Sequence, residues 1–176
     1  MKSSLTVRQI TLAAVVGALY VTMSYFSNIF GLSYGYIQCR FSEALTVLPF
    51  LCPTTVWGLF VGCIITNILS PYGTMDLIFG SLATLLAGLL TARCKNKWLA
   101  PLPPVICNTV LVGFTIGFAE ANGFTAALPM AWLVNGLSVG LGELGVCYIL
   151  GMLLLEGMPK VKAFRSMIPE KRLSAL

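Results

Sequence analysis

Long apolar stretches separated by short polar segments are the feature that most limits how this chain can fold. Hydrophobic residues make up 57% of its 176 residues and charged residues 10%, against about 25% charged residues in soluble domains. A soluble fold could not remove so much apolar surface from water. We therefore predict an all-α membrane protein in which residues 1–176 form a single transmembrane domain, without a large extramembrane domain.

Six apolar segments predict six transmembrane helices, with approximate bounds 9–30, 41–52, 55–69, 77–92, 105–119 and 129–155. The second segment is too short to cross a hydrocarbon core of about 30 Å, and Pro49 and Pro53 would bend or end it, so we expect a partial or tilted span. The first segment continues to Phe30 without a small-residue cleavage site, which favours a retained span over a signal peptide. The glycine- and tyrosine-rich stretch 31–38 predicts an outer loop.

Basic residues form three clusters, at the N-terminus, after the fourth segment and in the tail 158–176. Their members are Lys2, Arg8, Arg93, Lys95, Lys97, Lys160, Lys162, Arg165, Lys171 and Arg172. Six alternating spans place all three clusters on one side of the membrane, whereas merging the second and third segments would separate the first two clusters. By the positive-inside rule that side is the cytoplasm. We therefore predict that both termini are cytoplasmic and that residues 158–176 form a basic cytoplasmic tail.

The sequence lacks the motifs of several common functions. It has no histidine, and its six cysteines are widely spaced without a CxxC pair, which argues against zinc, haem or a disulfide framework. No GxxxxGK[ST] phosphate loop occurs, so we do not expect the chain itself to hydrolyse ATP. The basic residues lie at segment ends rather than in a stripe, which disfavours nucleic acid as a partner. We expect a solute-binding protein that is not an enzyme and holds no cofactor in this chain.

Ionisable side chains within apolar segments need a partner or a function, because each costs about 2.5–3.5 kcal/mol at membrane depth. Glu143 lies near the middle of the sixth segment, in GLGELG, where helix capping does not explain it, so we favour a functional role there. Arg40 and Glu43 are three residues apart, a spacing that fits either a structural ion pair or direct ligand contact. Asp76, at the start of the fourth helix, is either a helix cap or a ligand.

The predicted topology places these residues, with other polar and aromatic residues, in the outer half of the membrane, and Glu143 deeper. The candidate binding residues are Tyr34, Tyr36, Arg40, Glu43, Asp76, Glu120, Trp132, Asn135 and Glu143. Carboxylates accept hydrogen bonds from N–H groups, amides pair with a carbonyl edge, and aromatic rings stack. This chemistry predicts a pocket that opens outward and binds a flat, nitrogen-rich heterocycle. Asn67 and Asn108 are weaker candidates, for which we favour interhelical hydrogen bonds.

Three sequence blocks carry a resemblance to a known family. They are QCRFSEALTVLPF at 38–50, GLFVGCIITN at 58–67 and DLIFGSLATLLA at 76–87. These blocks resemble the QueT family, and the resemblance extends over about residues 8–155. The family implies a six-helix S component of an energy-coupling factor (ECF) transporter, in the bacterial plasma membrane with both termini cytoplasmic.

The resemblance also implies a solute and partners. The solute would be a 7-deazaguanine, either 7-aminomethyl-7-deazaguanine or queuine. The partners would be a transmembrane scaffold, the T component, and two ATPase subunits that use ATP. The resemblance implies that such S components dock through an alanine-rich motif on the first helix, which maps onto Ala14, Gly17 and Ala18.

Other interpretations remain open from the sequence. A carrier working alone would use Glu143 as a proton site. The chain could also be an S component for another nitrogen heterocycle or a vitamin. A membrane scaffold protein would bind no solute at all.

Overall fold

The structure is a computed structural model that describes residues 6–33 and 38–174, and its regular secondary structure in those ranges is helical. Six main helices are followed by two short ones. They are α1 (Val7–Ile29), α2 (Phe41–Phe50), α3 (Thr55–Asn67), α4 (Gly73–Thr91), α5 (Lys97–Glu120), α6 (Leu128–Lys160), α7 (Lys162–Arg165) and α8 (Glu170–Leu173). Helices α1, α4, α5 and α6 are long and apolar enough to cross a membrane, whereas α2 and α3 are shorter.

The predicted segments match these helices in order, but several bounds differ. Helix α4 begins at Gly73 and α6 continues to Lys160, so both extend beyond the apolar residues that defined the predicted segments. The α-helical part of α5 begins at Leu102, after a 3₁₀ turn at Lys97–Leu99. Pro103 and Pro104 lie in the first turn of that part, where a proline loses no intrahelical hydrogen bond, so the helix begins before the predicted bound of about residue 105.

The six main helices run alternately between two ends of the bundle. At one end, the Arg172 guanidinium lies 5.4 Å from the Phe50 ring, at the end of α2, and donates a hydrogen bond of 2.6 Å to the Cys94 carbonyl just after α4. Lys97, at the start of α5, pairs with Glu156 near the end of α6 at 3.1 Å. Because described members of all three basic clusters, Arg8, Lys97 and Arg172 among them, border this end, we call it the basic end and its opposite the far end.

The C-terminal segment is packed against the bundle. Residues 161–174, which we call the C-terminal strap, bury Ile168 to 6% exposure. Arg172 also donates to the Ala92 carbonyl. These carbonyls lie at the end of α4, where exposed backbone oxygens and the helix dipole favour a cation. The strap therefore closes the basic end and ties the ends of α2 and α4 together.

Small residues allow the closest helix contacts. A Cβ on Gly58 of α3 would lie 1.9 Å from the Ala13 carbonyl oxygen of α1, and one on Gly17 would lie 2.7 Å from the Gly58 oxygen. The same pattern joins α5 to α6, where a Cβ on Gly113 would lie 2.5 Å from the Gly136 Cα. Backbones approach this closely only where side chains are absent. These small-residue pairs thus pack within the chain, and Gly17 contacts α3 directly.

Helix α2 is a 3₁₀ helix of ten residues, and all of them except Phe41 are buried. At about 2.0 Å per residue it spans about 20 Å, less than a hydrocarbon core of about 30 Å. The second helix is therefore short, as the sequence predicted. Because neighbouring helices surround α2, the side chain of Glu43 lies inside the bundle.

The contact between α1 and α3 predicts that Gly58→Ala destabilises the protein by about 1–3 kcal/mol, the range for overpacking a filled interface. The methyl group would force the backbones of α1 and α3 apart. Gly145→Ala is the matched control, because no atom outside its own helix lies within 4 Å of the added Cβ. Thermal unfolding of the purified protein in detergent should show a lower midpoint for Gly58→Ala alone. Equal midpoints for the two variants would contradict the close packing.

Candidate solute-binding site

Two carboxylates from different helices share one amide inside the bundle. Glu43 and Glu143 are 2% and 6% exposed. The Asn108 Nδ2 group on α5 donates to Glu143 Oε1 at 2.8 Å and to Glu43 Oε2 at 3.4 Å. Tyr20 on α1 donates its hydroxyl to Glu43 Oε1 at 2.5 Å, and the Cys147 thiol donates to Glu143 Oε2 at 3.4 Å. Four helices therefore meet at one buried polar cluster.

A third carboxyl lies beside this cluster. Asp76 is fully buried, and its Oδ2 atom is 3.7 Å from the Arg40 guanidinium and accepts a 2.6 Å hydrogen bond from the Ser70 hydroxyl. Its other oxygen, Oδ1, has no hydrogen-bond partner among the described residues. A Cβ on Gly80 would lie 2.7 Å from Oδ1, so this oxygen faces the Gly80 backbone. Asp76 is thus an ion-pair partner of Arg40 with one acceptor oxygen to spare.

The helices that carry these groups are irregular where they meet. The helical turns widen to π geometry at Asp76–Gly80, Asn108–Val112 and Val146–Gly151, and Glu43 lies on the unusually long 3₁₀ helix α2. Such departures from the α-helix are uncommon and concentrate at functional sites. Asp76 and Asn108 each begin a π segment, and Cys147 lies within another. The local backbone therefore marks the same cluster as the side chains do.

A small enclosed cavity adjoins the cluster. Its lining includes Gln38, Arg40, Glu43, Thr84, Asn108 and Glu143. The cavity volume is about 10 Å³, roughly the space for one water molecule. A bicyclic heterocycle is much larger, so its binding requires these side chains to move apart.

The backbone at the end of the 31–38 stretch lies directly against α6. A Cβ on Gly142 would lie 1.7 Å from the Gln38 carbonyl oxygen, so only glycine fits there. This close approach brings Gln38 to the cavity wall beside Glu143.

The charge balance of the cluster determines what it can bind. Three carboxyl groups, from Glu43, Asp76 and Glu143, face one guanidinium, from Arg40. Buried carboxylates are costly unless they are paired or hydrogen-bonded. A solute that brings several N–H donors or a positive charge would satisfy them. The site is suited to a neutral or cationic nitrogen compound.

The structure separates the predicted site residues into two groups. Arg40, Glu43, Asp76 and Glu143 come together at the buried cluster. The other described residues form a second group near the far end, where Asn135 Nδ2 donates to Glu120 Oε2 at 2.5 Å. The Trp132 indole, 39% exposed, donates to the Val110 carbonyl at 3.0 Å. Tyr34 and Tyr36 lie outside the described residues.

Three expectations about individual residues need revision. Asn108 forms interhelical hydrogen bonds, as predicted, yet these bonds place it at the centre of the cluster. The ion pair that Arg40 makes at 3.7 Å is with Asp76, while Glu43 turns toward Tyr20 and Asn108. Asp76 follows the first residues of α4 within a continuous helix, so it is not the capping residue.

Sequence reasoning missed Tyr20, Gln38 and Thr84. A signal for Tyr20 was present, because it follows Leu12 and Val16 at four-residue spacing on a buried helix face. A tyrosine hydroxyl on such a face needs a buried partner. Gln38 and Thr84 carry no comparable pattern, since their position depends on how separate segments pack.

The shared amide predicts that Asn108→Leu destabilises the protein, because two buried carboxylates lose a donor and each such loss costs about 1–3 kcal/mol. Adding Glu143→Gln should recover part of the loss, since it removes one buried carboxylate. Thermal unfolding of the single and double variants in detergent forms a double-mutant cycle. Strictly additive effects would show that the two residues are not coupled.

Comparisons with known proteins agree with this architecture. The model of the QueT transporter family matches residues 10–160. A protein named queuosine precursor transporter QueT, from Lactococcus lactis subsp. cremoris, is 32% identical over 172 residues, covering 91% of this chain and 96% of the relative. No solved structure matches the chain. With four helices of membrane-spanning length, this is a multi-pass membrane protein, and the chain belongs to the QueT transporter family.

Proposed function

We propose that the chain is the S component of an ATP-driven ECF importer and binds a queuosine precursor, 7-aminomethyl-7-deazaguanine or queuine, from outside the cell. The observation that carries this proposal is the buried cluster of three carboxyls, an amide, a phenol and a guanidinium in the bundle. The name of the Lactococcus relative supports the class of solute.

The arrangement of charge supports access from outside. The basic residues of the N-terminus, the α4–α5 turn and the strap border one end, which the positive-inside rule assigns to the cytoplasm. Arg40 precedes α2, and Asp76 lies in the first turns of α4, so both approach the cluster from the far end. On this proposal, the six main helices lie in the bacterial plasma membrane, with α2 as a partial or tilted span, and a solute enters beside Arg40.

The cluster offers a complementary partner for each edge of a 7-deazaguanine. A carboxylate such as Glu143 accepts from the adjacent ring N–H and amino groups, and the Asn108 amide or Arg40 donates to the carbonyl oxygen. Asp76 Oδ1 is the acceptor proposed for an aminomethyl ammonium, because it is buried and has no partner among the described residues. In this assignment Glu43 keeps its hydrogen bond from Tyr20 and does not contact the solute.

Assembly with the partners is proposed on the open groove between α1 and α3. Ala14 and Ala18 are exposed there, and the groove has a volume of about 450 Å³. Small side chains let a helix of the T component approach closely. The two ATPase subunits then supply the energy, since this chain has no phosphate-binding loop.

The proposed binding site predicts that Glu143→Gln weakens binding of 7-aminomethyl-7-deazaguanine by about 10- to 100-fold, because a charge-assisted hydrogen bond is lost. Isothermal titration calorimetry of the purified protein measures the Kd. Glu120→Gln makes the same change at an exposed position and should leave the Kd unchanged.

An unchanged Kd in Glu143→Gln would remove this residue from the site. Uptake by the purified chain alone in liposomes, driven by a pH gradient, would favour the proton-coupled carrier. Uptake only with ATP and the partner subunits is the expected result.

The proposed docking surface predicts that Ala14→Trp with Ala18→Trp abolishes co-purification with the T component and ATPase subunits, while solute binding is retained. Leu19→Trp is the control, because Leu19 is exposed on α1 and outside the groove. Gly17 is unsuitable for this test, because any side chain at that position would clash with α3. Normal assembly of the double variant would refute this surface.

A further inference from the structure

A second open groove lies at the basic end, between the first turns of α1 and the C-terminal strap. Val7, Leu12 and Val15 form one wall, and Phe164 and Met167 form the other. Its volume is about 510 Å³. The α1–α3 groove is walled by α3 and uses Ala14 and Ala18, so the two grooves lie on different faces of α1.

The rim of this groove is basic. Arg8 borders it and is exposed, and Lys162 and Arg165 are exposed on α7, the short helix that also supplies Phe164. The stretches 7–15 and 161–169, which build the groove, contain three basic residues, Arg8, Lys162 and Arg165, and no aspartate or glutamate. An apolar trough with a cationic rim matches an amphiphile that has an apolar chain and an anionic head.

We infer that this groove binds an anionic phospholipid, with an acyl chain along Val7, Leu12 and Val15 and the phosphate beside Arg8. In a membrane protein, an open apolar groove on a spanning helix is covered by a lipid chain or another helix. The basic rim favours the lipid, because arginines at helix ends extend to the headgroup level and attract anionic lipids. Such a lipid would pack against both α1 and the strap, and so stabilise the closed basic end.

The inference does not depend on which solute the protein binds. The full chain is first equilibrated with an equimolar mixture of phosphatidylglycerol and phosphatidylcholine. Native mass spectrometry then counts the lipids of each kind that remain bound to it. The wild-type chain should retain phosphatidylglycerol in preference to phosphatidylcholine. Arg8→Gln should lower phosphatidylglycerol retention about fivefold, the factor implied by the loss of one basic residue near an anionic headgroup.

Two further variants distinguish lipid binding in the groove from a general effect of positive charge on lipid retention. Lys95→Gln removes the same charge at an exposed position in the α4–α5 turn and should leave retention unchanged. Val15→Trp fills the groove and should lower retention while all charges stay in place. Equal retention of the two lipids by the wild-type chain, an equal loss in Lys95→Gln, or full retention in Val15→Trp would overturn the inference.

Discussion

Glu43 and Glu143 lie on different helices, deep in an apolar bundle, and both accept hydrogen bonds from Asn108. A buried carboxylate must find donors or remain very costly, so this shared amide fixes how α2, α5 and α6 come together. Tyr20 adds α1 to the same junction through Glu43. The helices depart from regular geometry around this point, with π turns in α4, α5 and α6 and a 3₁₀ helix in α2. Irregular backbone and costly polar groups are therefore concentrated in one place, which is the usual sign of a site maintained for function.

The rest of the fold holds this junction in position. Contacts through Gly17, Gly58 and Gly62 bring α1 and α3 together, which encloses the short helix α2 on one side. At the basic end, the strap joins the ends of α2 and α4 through Arg172. Opposite that end, the Gln38 backbone lies against Gly142, next to Glu143. The cluster is thus supported toward the basic end by the strap, while Gln38 and Arg40 line its cavity at the far end.

The sequence was sufficient to predict the order and approximate bounds of the main helices. The length of each apolar segment reflects the thickness of a membrane, which is the dominant constraint on such a chain. The sequence also indicated Glu143, since no capping role explains a carboxyl in the middle of a span. It did not predict that Asp76 pairs with Arg40, or that Glu120 and Asn135 pair with each other away from the cluster. Those outcomes depend on the rotation and depth of helices that are distant in sequence. The spacing of apolar and polar residues along one helix predicts which face of the helix is buried, but it does not predict which neighbouring helix contacts that face. The prediction of a basic tail likewise left open where that segment packs, because Phe164, Ile168 and Leu173 do not indicate which helices they meet.

The central claim is that the buried cluster is retained to hold a nitrogen-rich solute. The most direct measurement is a thermal-shift titration of the purified wild-type protein against a panel of purines, 7-deazapurines and vitamins, since a ligand that binds the folded state raises the unfolding temperature with its concentration. We predict a saturable rise with 7-aminomethyl-7-deazaguanine or queuine, and a smaller rise or none with purines and vitamins. If no compound in the panel raised the unfolding temperature, the cluster would be a structural junction of the helices and the account would be contradicted.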